Sequence, residues 1–200
     1  MRLDIDGLTL SRGARTLLRD LSVSIAPGEA VALTGANGAG KTSLLRAVAG
    51  FIRPDAGRIG FGEVEPETAR ASNLHLLGHL DGLKPGRSAG AELDFAARWL
   101  GADDASLAAA VETLSLSALL ELETRKLSAG QRRRLAFGRL IAAPRPLWLL
   151  DEPLAPLDAR WRVALGEVFA RHLADGGMIL AAVHDPLPVP ARTLDLGGGR

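Results

Sequence analysis

At 200 residues, 47% of them apolar and 24% charged, the chain is long enough to bury a real core and too apolar to be disordered. A formal net charge of +1 speaks against a protein built around bulk attraction to nucleic acid. The absence of cysteine excludes a disulfide framework and any thiolate metal site, and is compatible with a reducing compartment.

The start, MRLDIDGLTLSRGARTLL, has acidic residues and alternation where a signal peptide has an apolar run. No segment approaches the ~20 apolar residues of a membrane helix, so the chain is not expected to span the bilayer, which leaves open attachment to a membrane through a partner that does. Leu3, Ile5, Leu8 and Leu10 loosely alternate, and LSVSIAPGEAVALTG predicts two strands around a Pro-Gly turn. Ala30 to Thr34 is short and uniformly apolar, as a buried parallel strand should be. A glycine-rich loop follows, then KTSLLRAVAGF with helical spacing and Gly50 as its stop. From about Ser88 to Ala142 the chain turns Ala- and Leu-rich, and AGAELDFAARWL, ASLAAAVETLSL and AGQRRRLAFGRLIAA all have helical periodicity. Strands return in PLWLLDEP and GGMILAAVHDP, separated by the helical ARWRVALGEVFARHLA, and a last short strand, RTLDL, follows an irregular tail. A parallel α/β core with a helical insertion is the economical architecture.

Gly35, Ala36, Asn37, Gly38, Ala39, Gly40, Lys41 and Thr42 fit the P-loop pattern, between a predicted strand and a predicted helix as that motif requires. Glycines let successive N–H groups turn onto phosphate oxygens, Lys41 supplies a point charge, and the Thr42 hydroxyl suits Mg²⁺. Ser43 continues the same nucleotide-binding run, and a nucleotide with β- and γ-phosphates, together with Mg²⁺, is the expected ligand pair. The competing reading is a glycine-rich turn. PLWLLDEP places two acids at the exit of an apolar strand: Asp151 suits the ion, and Glu152 suits the proton of the attacking water. A strand-ending helix cap is the plainer alternative.

His184 also follows an apolar strand and could contact the γ-phosphate or polarise the water; an ordinary loop histidine competes with that. His75 and His79 are four apart, but in an extended stretch their α-carbons would be ~13 Å apart, which disfavours a metal site. His172 reads as a solvated helix residue.

One stretch remains. LSAGQRRR, Leu127 to Arg134, puts a serine, a glycine and a glutamine ahead of a helix, an arrangement suited to anions in a chain that already has a phosphate loop. Taken in order, the P-loop, LSAGQ, LLDEP with a following LD, and the strand-end histidine resemble the ATP-binding subunits of ABC transporters over nearly the whole chain. The resemblance implies a P-loop NTPase fold: a RecA-like α/β core, an antiparallel β part near the N-terminus and an inserted α-helical subdomain. It makes residues 1–200 a single ATP-binding domain, with the core at about 1–85 and 143–200 and the helical subdomain at about 86–142. It also implies that two such domains pair head to tail, normally as a homodimer. Leu127, Ser128, Ala129, Gly130 and Gln131 would then complete an ATP held by the other chain's P-loop, with Asp158 in the loop between subunits.

The departures are specific. The family's adenine-stacking aromatic matches Ser11-Arg12-Gly13, where the Arg12 guanidinium can either stack or stay solvated. The family's coupling glutamine aligns with His79, and LAPLD replaces the commoner Ser-Ala-Leu-Asp ending. LLGHLDGLK, RKLSAGQRRRLAFGRL and PLWLLDEPLAPLD together look like the ATPase subunit of the cytochrome c maturation (haem exporter) system. That subfamily implies integral membrane transporter subunits as partners, a peripheral place at the cytoplasmic face of the bacterial inner membrane, and no nucleic acid. Three rivals stand beside it: another ABC exporter or importer ATPase, a soluble ABC-type ATPase of translation, DNA repair or Fe–S assembly, and a nucleic-acid binder using Arg132 to Arg134. The near-neutral charge disfavours the last, and those three arginines read as a solvated or phosphate-facing edge.

Overall fold

A computed structural model describes residues 1–197; the last three positions of the expected domain, 198–200, lie outside the described residues. The elements run β1 (Leu3–Arg12), β2 (Arg15–Ile25), β3 (Ala30–Thr34), α1 (Lys41–Val48), β4 (Ala56–Gly60) and a short turn of helix, α2 (Pro66–Thr68). They continue with β5 (Leu74–Leu77), α3 (Ala89–Trp99), α4 (Asp104–Thr113), α5 (Ala129–Ala142), β6 (Leu147–Asp151), α6 (Ala159–Ala174), β7 (Met178–Ala182) and β8 (Arg192–Asp195). The chain divides into two compact units. One comprises Met1–Gly78, Arg145–Pro153 and the chain from Arg162 onward; the other comprises His79–Pro144 and Leu154–Trp161.

The first unit holds two sheets. In the antiparallel one, ordered β2-β1-β4, the loose alternation of β1 has a cause. Leu3, Ile5, Leu8 and Leu10 are all buried although the step from Ile5 to Leu8 is three residues. The register shifts between those two positions, and Gly7 there has φ +60°. A bulge resets the alternation, so the apolar face stays on the core side. The second sheet is parallel, ordered β5-β6-β7-β3-β8. Every residue of β6 and β7 is buried, which explains why both read as unbroken apolar runs. Leu33, Leu45, Phe61, Leu149 and Leu180 belong to one core shared by the two sheets and α1.

His172, expected to be solvated, is half-buried instead. Its ring stacks on Trp148 with centroids 3.9 Å apart and planes 10° apart, and its Nε2 lies 3.2 Å from the Met178 carbonyl oxygen. Burial pushes its pKa below the ordinary 6.5, so the neutral ring is favoured. Helical spacing alone could not show that α6 turns this position toward β6.

In the second unit α3, α4 and α5 pack through small side chains. Ala97, Ala110 and Ala142 form a shared cluster, and a Cβ on Gly138 would fall 2.8 Å from Leu93. Close helix approach therefore follows from alanine and glycine at the contact positions. Asp103 caps α4 by accepting from the Ser106 N–H at 2.7 Å, and Ser88 caps α3 by accepting from Ala91.

Candidate functional site

Because β3, β7 and β6 are adjacent and parallel, their carboxyl ends share one edge. Leu33 pairs with Ala182, and Ala182 pairs with Asp151, so the phosphate loop, the two acids and His184 leave the sheet at one level. At that edge Gly35 takes φ +125°, and a Cβ there would meet the Gly197 nitrogen and Asp195 Oδ1 within 3.3 Å. Gly40, φ +101°, is the N-cap of α1 and supplies no side chain, so the amides that open the helix keep no side-chain cap. Lys41 is buried, and its ammonium donates to the carbonyl oxygens of Gly35 and Ala36. Lys41 is thus held over the loop by two of its carbonyl oxygens.

The Thr42 hydroxyl donates to Asp151 Oδ2 at 3.0 Å, and Asp151 is buried. A hydroxyl oxygen and a buried carboxylate converge there, the hard oxygen pair that Mg²⁺ accepts. Glu152 stands next, with φ +49°, and its N–H donates to the Ala182 carbonyl at 2.9 Å. Its Oε1 lies 3.3 Å from His184 Nε2, while the His184 side chain stays more than half exposed. One signal the sequence did not give up is the ion pair from Arg162 to Asp185, at 2.9 Å, which fastens the turn carrying His184. Arg12 lies exposed at the end of β1, paired in register with Arg15. All of these belong to the first unit.

The second unit carries the remaining candidates. Ser128 is the N-cap of α5 in a complete capping box: Ser128 Oγ accepts from the Gln131 N–H at 3.2 Å, and Gln131 Oε1 accepts from the Ser128 N–H at 2.8 Å. Leu127 is buried behind them, with Ala129 and Gly130 opening the helix. A Cβ on Gly130 would lie 2.9 Å from the Pro156 carbonyl oxygen, which explains glycine there. Asp158 spends one carboxyl oxygen on the N–H of Trp161, capping α6 at 3.0 Å. His79 is exposed.

The arginines after the loop do not form the solvated edge the sequence suggested. Arg133 and Arg134 are buried, because each meets backbone carbonyls that need donors. Arg133 donates to the His79 carbonyl at 3.1 Å, and its Nε lies 3.3 Å from Asp81 Oδ1. Arg139 reaches the Asp81 carbonyl at 3.4 Å. Burial pushes the Asp81 carboxyl up, while Arg133, Arg132, Arg139 and His79 pull it back down. Arg134 donates to the Leu114 and Ser115 carbonyls at 2.8 and 3.3 Å. Arg132 donates to the carbonyl of Leu127. A run of like charges says nothing about which carbonyls wait for it, so these roles were not readable from the letters. Among the described residues no cluster of three or more His, Asp or Glu side chains could hold a metal ion.

Residues 18–155 match the protein family described as ABC transporter. The cytochrome c biogenesis ATP-binding export protein CcmA of Rhodopseudomonas palustris (strain BisB5) is 48% identical over 191 residues, 96% of each chain. The protein of the same name from Maricaulis maris (strain MCS10) is 43% identical over 199 residues, 99% of this chain and 93% of that one. Among solved structures, an ABC transporter ATP-binding protein from Pyrococcus furiosus matches with a TM-score of 0.84 at 20% identity, over 98% of each chain. A bacterial Atm1-family ABC exporter with ATP bound matches with a TM-score of 0.79 at 24% identity, over 92% of this chain and 34% of that one. At such identities the solved structures speak for the fold alone, an ABC ATPase fold.

Proposed function

We infer the function from one premise: this chain belongs to the ABC transporter family, as an ATP-binding subunit that hydrolyses ATP. Within the family it is the ATPase of an export complex for cytochrome c maturation, coupling ATP-driven pairing to haem export or release of a haem-loaded chaperone. The observation that carries this reading is near-full-length identity of 48% to a cytochrome c biogenesis export protein. Among the described residues no helix is long and apolar enough to cross a membrane, so attachment through membrane subunits is the expected mode. The place assigned to it is the cytoplasmic face of the inner membrane, as a homodimer without nucleic acid, with segment 86–142 as the helical subdomain.

The chemistry proposed follows the geometry. Phosphates of ATP enter the loop from Gly35 to Ser43, where backbone amides and the start of α1 face them and Lys41 exchanges carbonyl partners for phosphate oxygens. Thr42 and Asp151 would hold Mg²⁺, which when bound neutralises phosphate charge. Glu152 accepts a proton from water as the water oxygen bonds the γ-phosphorus and the bridging oxygen leaves with ADP. His184, beside Glu152, orients the γ-phosphate or the water. Ser128, Gly130 and Gln131 supply the second chain's contribution, Asp158 lies in the loop between subunits, Arg12 takes the adenine side, and His79 faces the membrane partner.

The test is genetic. In a host lacking the gene, wild-type chain should restore haem-stained c-type cytochromes and Glu152→Gln should not. Failure of the wild-type chain to restore them, or normal cytochromes in the deletion, would remove the assignment, and full restoration by Glu152→Gln would remove Glu152 from the role of base.

A further inference from the structure

Helix α5 and the segment Leu154–Trp161 are separated in sequence but joined within the second unit. Gly130, in the first turn of α5, lies against the Pro156 carbonyl so closely that a Cβ would sit 2.9 Å from it. One turn on, Arg134 is buried and fixed by two carbonyls, those of Leu114 and Ser115. Ser115 takes φ +48°, a conformation that turns the chain back at the end of α4. Thus oriented, the Arg134 guanidinium carbon lies 3.9 Å from the centre of the Trp161 ring. The backbone N–H of Trp161 in turn donates to Asp158 Oδ1, and the Asp158 charge acts on Arg134. Arg160 lies 5.7 Å from the same ring, farther out. A planar cation stacked on an indole and held by two carbonyls has little freedom left, which a lysine could not reproduce.

We propose that Arg134 and Trp161 are positioning residues that lock Leu154–Trp161 to the start of α5. Ser128–Gln131 and Asp158 are thereby presented to the second chain as one preformed surface. The capping box fixes one half of that surface, and the Arg134–Trp161 stack fixes the other half against it. Ordering both loops in advance removes an entropic cost from ATP-driven pairing. Neither residue touches nucleotide in this account; each acts through the loops it holds. The inference rests on the reading of Ser128–Gln131 as the contribution to the other chain's ATP.

The experiment measures, for each variant, the ATP concentration giving half-maximal dimer by light scattering, in a Glu152→Gln background that cannot turn ATP over. A fluorescent ATP analogue gives the affinity of the monomer's own P-loop in parallel. Trp161→Leu should raise the dimer midpoint about tenfold while monomer affinity stays within about twofold. Trp161→Phe, which keeps an aromatic face, should stay near the parent. If Trp161→Leu fails to fold, Arg134→Lys takes its place with the same expected split. An unchanged midpoint in the folded variant overturns the lock. Failure of the Glu152→Gln parent itself to dimerise with ATP would instead overturn the reading of Ser128–Gln131 as the contribution to the other chain's ATP, so the two failures are distinguishable.

Discussion

At Glu152 the backbone adopts a left-handed conformation, φ +49°, which costs an L-residue roughly 1–2 kcal/mol. The neighbouring structure holds it there: the Glu152 N–H is bonded to Ala182, and the carboxylate meets His184 at 3.3 Å. Strain of this kind persists where surrounding bonds over-determine the backbone, and it sits on the residue proposed as the base. A stability comparison isolates it. Glu152→Gly should be about 1 kcal/mol more stable than Glu152→Ala by chemical denaturation, with ATP turnover lost in both, because only glycine relaxes the conformation. Equal stabilities would mean that the backbone at this position is not strained.

Among the elements, α5 has the widest reach. Its N-terminus carries Ser128 and Gln131, its Arg133 holds the His79 carbonyl and faces Asp81, and its Arg134 stacks on Trp161. Removing Arg133 leaves the Asp81 carboxylate and a carbonyl short of a donor in a buried place. Arg133→Met should therefore cost about 1–3 kcal/mol, and adding Asp81→Asn should recover part of that. A thermal or denaturant double-mutant cycle without coupling would show the pair to be independent. Element by element, the sequence was readable where one local pattern decides the outcome. The buried runs of β3, β6 and β7 and the spacing of α5 and α6 were plain, and so was the P-loop. What it concealed was settled by distant partners: the bulge at Gly7, the burial of Arg133 and Arg134, the stack of His172 on Trp148, and the Arg162–Asp185 pair. Each depends on which carbonyl, ring or carboxylate the fold brings alongside, and local periodicity has no access to that.

On the scale of the molecule, the candidate groups divide between the two units. Lys41, Thr42, Asp151, Glu152 and His184 belong to the first, and His79, Ser128, Gln131 and Asp158 to the second. In the function proposed above, the first set would serve the chain's own ATP, and the second would serve another chain or a membrane subunit. On that proposal a single chain would bind ATP without completing the site, and pairing would be the step that ATP controls. The direct measurement is the solution mass of the Glu152→Gln chain with ATP or with ADP, alone and combined with Ser128→Trp. The expected result is a dimer with ATP and a monomer with ADP, and a monomer in both when Ser128→Trp is added, with nucleotide affinity unchanged. A doubly substituted chain that still dimerises with ATP as readily as Glu152→Gln would contradict it.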